Sequence, residues 1–154
     1  MALDYKVNMD TTDYFILRIL QENARRTFSD IGREIGLSPP AVAERVRKMG
    51  DAGVITGYSA QINLEKIGLR ISAFLMLKTR ADRYPGVVAL VERMPEVLEC
   101  HHVSGEDSFI LKVAAKDVGH LETLISRISP YGETNTLIVL SSPVVKRDTV
   151  RSRK

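Results

Sequence analysis

Hydrophobic residues in the first third of the chain recur at helical spacing, with capping residues between the groups. Phe15, Ile16, Ile19 and Leu20 share one side of a helix whose start is bracketed by Asp10 and Asp13, acidic residues suited to the positive end of a helix dipole. The polar stretch 23–26 ends that helix. Thr27, with Asp30 three positions later, resembles a capping box that opens a short second helix carrying Ile31 and Ile35. Gly36 closes it, as the residue that turns left-handed most readily. Ser38 is a good N-cap, and Pro39 at the next position loses no needed N–H. A third helix then runs through Val42, Val46 and Met49 and stops near Gly53, and residues 54–58 predict a short strand or wing. Two short helices joined by a tight glycine turn form a helix-turn-helix, here a winged helix-turn-helix over residues 1–58.

After a connector at 59–70 the period changes. Residues 71–79, 97–104, 108–115 and 134–140 read as strands, and 82–94 and the segment after Asp117 read as helices. The order βαββαβ over 71–145 is the ferredoxin-like arrangement, so the whole is α+β. Helices cover only one face of such a sheet, and the other should be polar in a monomer. Phe74 and Met76 oppose Ile71, Ala73, Leu75 and Leu77, however, and Ile110 opposes Phe109 and Leu111. Both faces are apolar, which predicts a second protein surface, most simply a homodimer.

Charge changes this picture less than the net value of +3 suggests. Lys and Arg balance Asp and Glu at 8 against 8 over residues 1–57 and at 9 against 10 over 58–145, and the excess lies in the tail 146–154 at 5 against 1. Global charge therefore carries no argument for nucleic acid, and the basic tail reads as a solvated end or a phosphate-contacting arm. The pattern on the third helix is local. With Val42, Val46 and Met49 turned inward, the other faces present Pro40, Ala41, Glu44, Arg45, Arg47 and Lys48, of which Arg45 neighbours Val42 and Val46 and could instead brace the helix. A helix fits the major groove, small residues near its start allow close approach, and guanidinium groups reach phosphate or guanine. Periodicity alone slightly favours an ordinary three-helix bundle with a charged outer face.

Other chemistry is sparse. His101 and His102 are adjacent on a strand and point to opposite faces, His120 lies in another element, and no zinc spacing, phosphate loop or nucleophile–base grouping is present. No enzyme, metal or cofactor is expected. The single cysteine, Cys100, reads as inert packing and suits a reducing compartment. With no apolar run of about 18 residues and no basic-then-apolar leader, a cytoplasmic location away from any membrane is expected.

The run Ala24-Arg25-Arg26, then residues 31–46 (IGREIGLSPPAVAERV) and 53–58 (GVITGY), closely resembles the Lrp/AsnC, or feast/famine, regulators. Residues 103–109 (VSGEDSF) are similar to the hairpin of their RAM domain, an ACT-like fold. Residues 129–132 (SPYG) and the strand ending in 140–143 (LSSP) are similar to its C-terminal segment. The resemblance implies a sequence-specific transcription regulator of double-stranded DNA that forms dimers, commonly four to an octamer, and answers an amino acid or related metabolite. It assigns DNA contacts to Ser38, Pro40, Ala41, Glu44, Arg45, Arg47 and Lys48, with Arg25 and Arg26 as backbone contacts. By the same resemblance the effector sits between dimers near the hairpin, which nominates Ser104, Gly105, Glu106 and Asp107 together with Thr134, Asn135 and Thr136. Asp107 would accept from the ammonium of an amino acid, while backbone N–H groups take its carboxylate. Gly105-Glu106-Asp107 also reads simply as a tight hairpin turn. An architectural protein that wraps DNA with little ligand response remains a second functional reading, since it would use the same helices.

Overall fold

A computed structural model describes residues 8–145, which fall into two compact units, one reaching Ala60 and the other spanning Gln61–Pro143. The first holds three helices, α1 (Thr11–Glu22), α2 (Phe28–Ile35) and α3 (Pro39–Asp51). Asp10 caps α1 in a complete capping box: its carboxylate accepts from the Asp13 N–H at 2.9 Å, and the Asp13 carboxylate accepts from the Asp10 N–H at 3.0 Å. At α2 only half of the expected box forms. The Thr27 hydroxyl oxygen accepts from the Asp30 N–H at 3.1 Å, but the Asp30 carboxylate takes its bond from the Thr27 hydroxyl rather than from its backbone. Aspartate at the same position completes the box at α1, so the difference lies in the cap: Thr27 offers a hydroxyl donor that captures the carboxylate, and Asp10 has none.

Ile16, Ile19, Leu20, Ile31, Val42 and Met49 fill the core between these helices. The strand or wing expected at 54–58 does not form. The Val54 and Ile55 N–H groups both donate to the Met49 carbonyl, at 2.9 and 3.1 Å, and their side chains pack on the three-helix core. A segment whose donors close a helix end and whose apolar groups finish a core has nothing left to build a ladder with.

The second unit is an antiparallel sheet of β1 (Ile71–Lys78), β2 (Val97–His102), β3 (Phe109–Ala115) and β4 (Glu133–Ile138) in the order β2-β3-β1-β4, with α4 (Tyr84–Val91) and α5 (Val118–Ile128) packed on one face. This is the ferredoxin-like βαββαβ arrangement. Its core is a rung-by-rung stack. Ala73, Leu75 and Leu77 of β1 pair with Val113, Leu111 and Phe109 of β3, and all six are buried beneath Val87, Val91, Leu121, Leu124 and Ile128 of the helices. The alternate positions form the open face, where Phe74 and Leu137 are paired across strands and stay 40% and 51% exposed, beside the half-buried Met76 and Ile110. The strands and α4 are slightly shorter than their patterns suggested, while α5 matches its own. The helix expected at 82–94 starts as the 3₁₀ turn Ala81–Arg83, and β4 stops at Ile138, leaving Leu140 exposed.

Candidate nucleic-acid interface and effector site

α3 leaves the α2–α3 turn with Ser38 capping it, the hydroxyl oxygen accepting from the Ala41 N–H at 3.4 Å. Its outward side exposes Pro40, Glu44, Arg47 and Lys48, with Ala41 half-buried beside them. The charged groups there are tied to one another. Both Glu44 oxygens accept from Arg47, from Nε at 2.9 Å and from Nη2 at 2.8 Å, while Arg47 Nη1 donates to Asp51 and Lys48 Nζ lies 3.7 Å from Glu44. Hydrogen bonding from Arg47 holds the Glu44 carboxyl below its ordinary pKa, and Glu44 in return raises Arg47 above its own.

Arg45, expected among the DNA contacts, is turned back to α1. Its Nη1 donates to Asp10 at 2.7 Å and to Asp13 at 2.8 Å, the two carboxylates of the α1 capping box. Asp13 is only 13% exposed, so this pair is partly desolvated and couples α3 to the start of α1. Arg26 Nη2 donates to Glu34 at 2.7 Å, whereas the Arg25 side chain has no carboxylate partner among the described residues.

At one end of the sheet, the β2–β3 hairpin encloses an open depression of about 600 Å³ lined by His102, Val103, Ser104, Glu106, Asp107 and Ile110. Gly105 turns the hairpin with a φ of 129°. Ser108 fastens its base: the Ser108 N–H donates to the Leu77 carbonyl at 2.9 Å, its hydroxyl donates to the Thr79 carbonyl at 2.9 Å, and the hydroxyl oxygen accepts from the Thr79 N–H at 3.2 Å. Lys78 Nζ reaches Glu106 at 2.9 Å, which lowers the Glu106 pKa and raises that of Lys78. Asp107 is half-buried, its charge adds to the rise at Lys78, and its carboxylate has no hydrogen-bond or ion-pair partner among the described residues. Behind the depression His102 stands edge-on to Tyr84, with ring centroids 4.8 Å apart.

The expected effector residues converge only in part. Ser104, Glu106 and Asp107 line the depression. Thr134 and Thr136 are registered against Leu77 and Leu75 on the helix-bearing side, Asn135 is registered against Met76 on the open face, and β1 stands between all three and the hairpin.

The AsnC-type helix-turn-helix model matches residues 9–49, and the Lrp/AsnC ligand-binding domain model matches residues 72–149. The chain belongs to the Lrp/AsnC family. Among its relatives, the HTH-type transcriptional regulator YezC of Bacillus subtilis is 42% identical over 134 residues, spanning 87% of this chain and 95% of YezC. The regulatory protein AsnC of Escherichia coli is 33% identical over 144 residues, spanning 90% and 94%. The feast or famine regulatory protein of Mycobacterium tuberculosis, solved with L-methionine, superposes with a TM-score of 0.85 at 34% identity, covering 92% of this chain and 99% of that one. The chain is thus a DNA-binding transcription regulator of the Lrp/AsnC type.

Three features of this Lrp/AsnC chain lie outside the expectations drawn from its sequence. Asp10 and Asp13 as partners of Arg45 lie more than thirty residues away, and no local spacing announces them. Lys78 and His102 reach the hairpin only through sheet pairing. Asp51, by contrast, stands four positions from Arg47 and seven from Glu44, so helical spacing alone carried that signal. No helix among the described residues is long and apolar enough to cross a membrane, and no group of three His, Cys, Asp or Glu there could hold a metal.

Proposed function

We propose that this chain regulates transcription by placing α3 in the major groove of a double-stranded operator, and that an amino acid seated at the β2–β3 hairpin alters its assembly or DNA affinity. The observation that carries the effector half is Asp107, a half-buried carboxylate at the edge of an open depression with no hydrogen-bond or ion-pair partner among the described residues. A carboxylate so placed suits an ammonium group, and the neighbouring hairpin backbone suits a carboxylate. The M. tuberculosis relative solved with L-methionine supports a ligand of this class. Ser104, Gly105 and Glu106 would shape the same pocket, and Thr134, Asn135 and Thr136 would meet the ligand only from another copy of the chain. Such a copy is expected, because the open sheet face is apolar; the reading is a homodimer, with four dimers as the larger assembly. Two α3 helices of a dimer would then address half-sites about one helical turn, roughly 34 Å, apart.

Two measurements test this. Titrating the full chain with a panel of amino acids should raise its melting temperature for one of them, by about 2.7 kcal/mol of added stability at a ligand concentration about 100-fold above Kd. Asp107→Ala should abolish that response and leave DNA affinity intact; an unchanged ligand affinity would overturn the assignment. Arg47→Ala with Lys48→Ala should weaken binding to every duplex and flatten the dependence of log K on log salt. A preserved slope counts against phosphate contact by these residues.

A further inference from the structure

The outer side of α3 carries its cations already neutralised. Glu44 grips Arg47 through two parallel hydrogen bonds and stands 3.7 Å from Lys48, and Asp51 takes a third Arg47 donor. The two positive and two negative charges of this face cancel. Elsewhere in the unit Arg26 is paired with Glu34, Arg33 with Asp30, and Arg45 with Asp10 and Asp13, while Arg25 has no carboxylate partner among the described residues. Over its described residues seven basic side chains meet seven acidic ones. Nothing here creates the broad positive field that draws a protein to any duplex.

We propose that Glu44 is a specificity-determining residue that suppresses sequence-independent DNA binding by holding Arg47 and Lys48 away from phosphate. The inference rests on the reading of α3 as the DNA-contacting helix. Affinity for an arbitrary duplex comes from counterions released when basic side chains neutralise phosphates. Arg47 can reach a phosphate only by leaving Glu44 and Asp51, whose bared carboxylates then attract cations back and face the polyanion across a few ångströms. Net counterion release falls, and the exchange yields little on an arbitrary sequence. A matched site compensates, because a carboxylate at this place can accept from a cytosine amino group in the major groove. The bidentate geometry matters, since fork-to-carboxylate pairs are the strongest of exposed ion pairs. Such pairs still contribute little to folding, so removing the Glu44 charge isolates its effect on binding.

The test compares the full wild-type chain, Glu44→Gln, and Arg47→Ala with Lys48→Ala. The probes are a mixed-sequence duplex and the tightest duplex that the wild type selects from a random pool, with salt varied between ~50 and ~200 mM. Glu44→Gln should bind the mixed duplex about tenfold more tightly at the low end, with a salt slope steeper by about 1 to 2. Its preference for the selected duplex over the mixed one should shrink at least as much. Unchanged affinity and slope on the mixed duplex, or weaker binding to it, overturns the proposal. If the double variant binds both duplexes like the wild type, the α3 reading itself fails. If the double variant weakens while Glu44→Gln matches the wild type, only the role of Glu44 fails.

Discussion

Arg45 and Arg47 are two residues apart on one helix, yet they work in opposite directions. Arg47 lies outward among Glu44, Lys48 and Asp51, and Arg45 reaches inward to Asp10 and Asp13. Arg45→Gln is therefore expected to act first on folding. It leaves Asp13, 13% exposed, with the Asp10 N–H as its remaining partner among the described residues, and should cost about 1 kcal/mol by denaturant unfolding, at the upper end for ion pairs of this kind. Reduced DNA affinity with unchanged stability would instead make Arg45 a direct contact. At this scale the sequence is legible where the partners are local. Glu44, Arg47, Lys48 and Asp51 fall at three- and four-residue spacing, so their network can be read before any fold is known. The partners of Arg45 cannot, because they depend on how α1 crosses α3.

Capping residues and apolar spacing placed all three helices of the first unit correctly, because each is bounded by a side chain with a specific hydrogen bond to make: Asp10, Thr27 and Ser38. The segment after α3 is the exception. Val54 and Ile55 are β-branched and look like strand, but a strand needs a partner, and these two residues give their donors to the end of α3. The α2–α3 turn has a tighter requirement than its glycine cap suggests. The Leu37 N–H donates to the Gly32 carbonyl at 2.9 Å, folding the chain back so closely that a β-carbon on Gly32 would meet the Leu37 carbonyl oxygen at 2.3 Å. That oxygen is backbone and cannot move alone. Gly32→Ala should destabilise the helical unit by about 2–3 kcal/mol, seen as an earlier loss of helical signal in urea, and should misplace α3 on DNA. A variant as stable as the wild type would show that the turn has slack.

For the whole molecule the alternation of side chains along β1, β3 and β4 predicted both the sheet and its uncovered apolar face. It could not bring Ser104, Glu106 and Asp107 together with Thr134, Asn135 and Thr136, since one sheet holds these groups two strands apart. If a second copy covers that face, a charge placed there should separate the copies without unfolding either. Phe74→Glu, at a position 40% exposed, is expected to reduce the mass in light scattering to that of one chain, 17.2 kDa, while the circular dichroism is retained. A wild-type chain already at that mass would remove the dimer reading. Loss of the proposed amino-acid response in the same variant would indicate that the proposed pocket needs both copies.

Ser108 gives the hairpin a property that outlasts any particular ligand. A buried hydroxyl bonded twice to Thr79, with its own N–H on Leu77, rivets the base of the β2–β3 turn to the last residues of β1. The turn is then a stiff lip instead of a flap. A small molecule arriving there meets walls already standing, and little of its binding energy is consumed in ordering a loop. Whatever push it exerts passes into β1 at the centre of the sheet, so the strand that carries Phe74 and Met76 on its other side would register the arrival as a displacement, not as a closing lid.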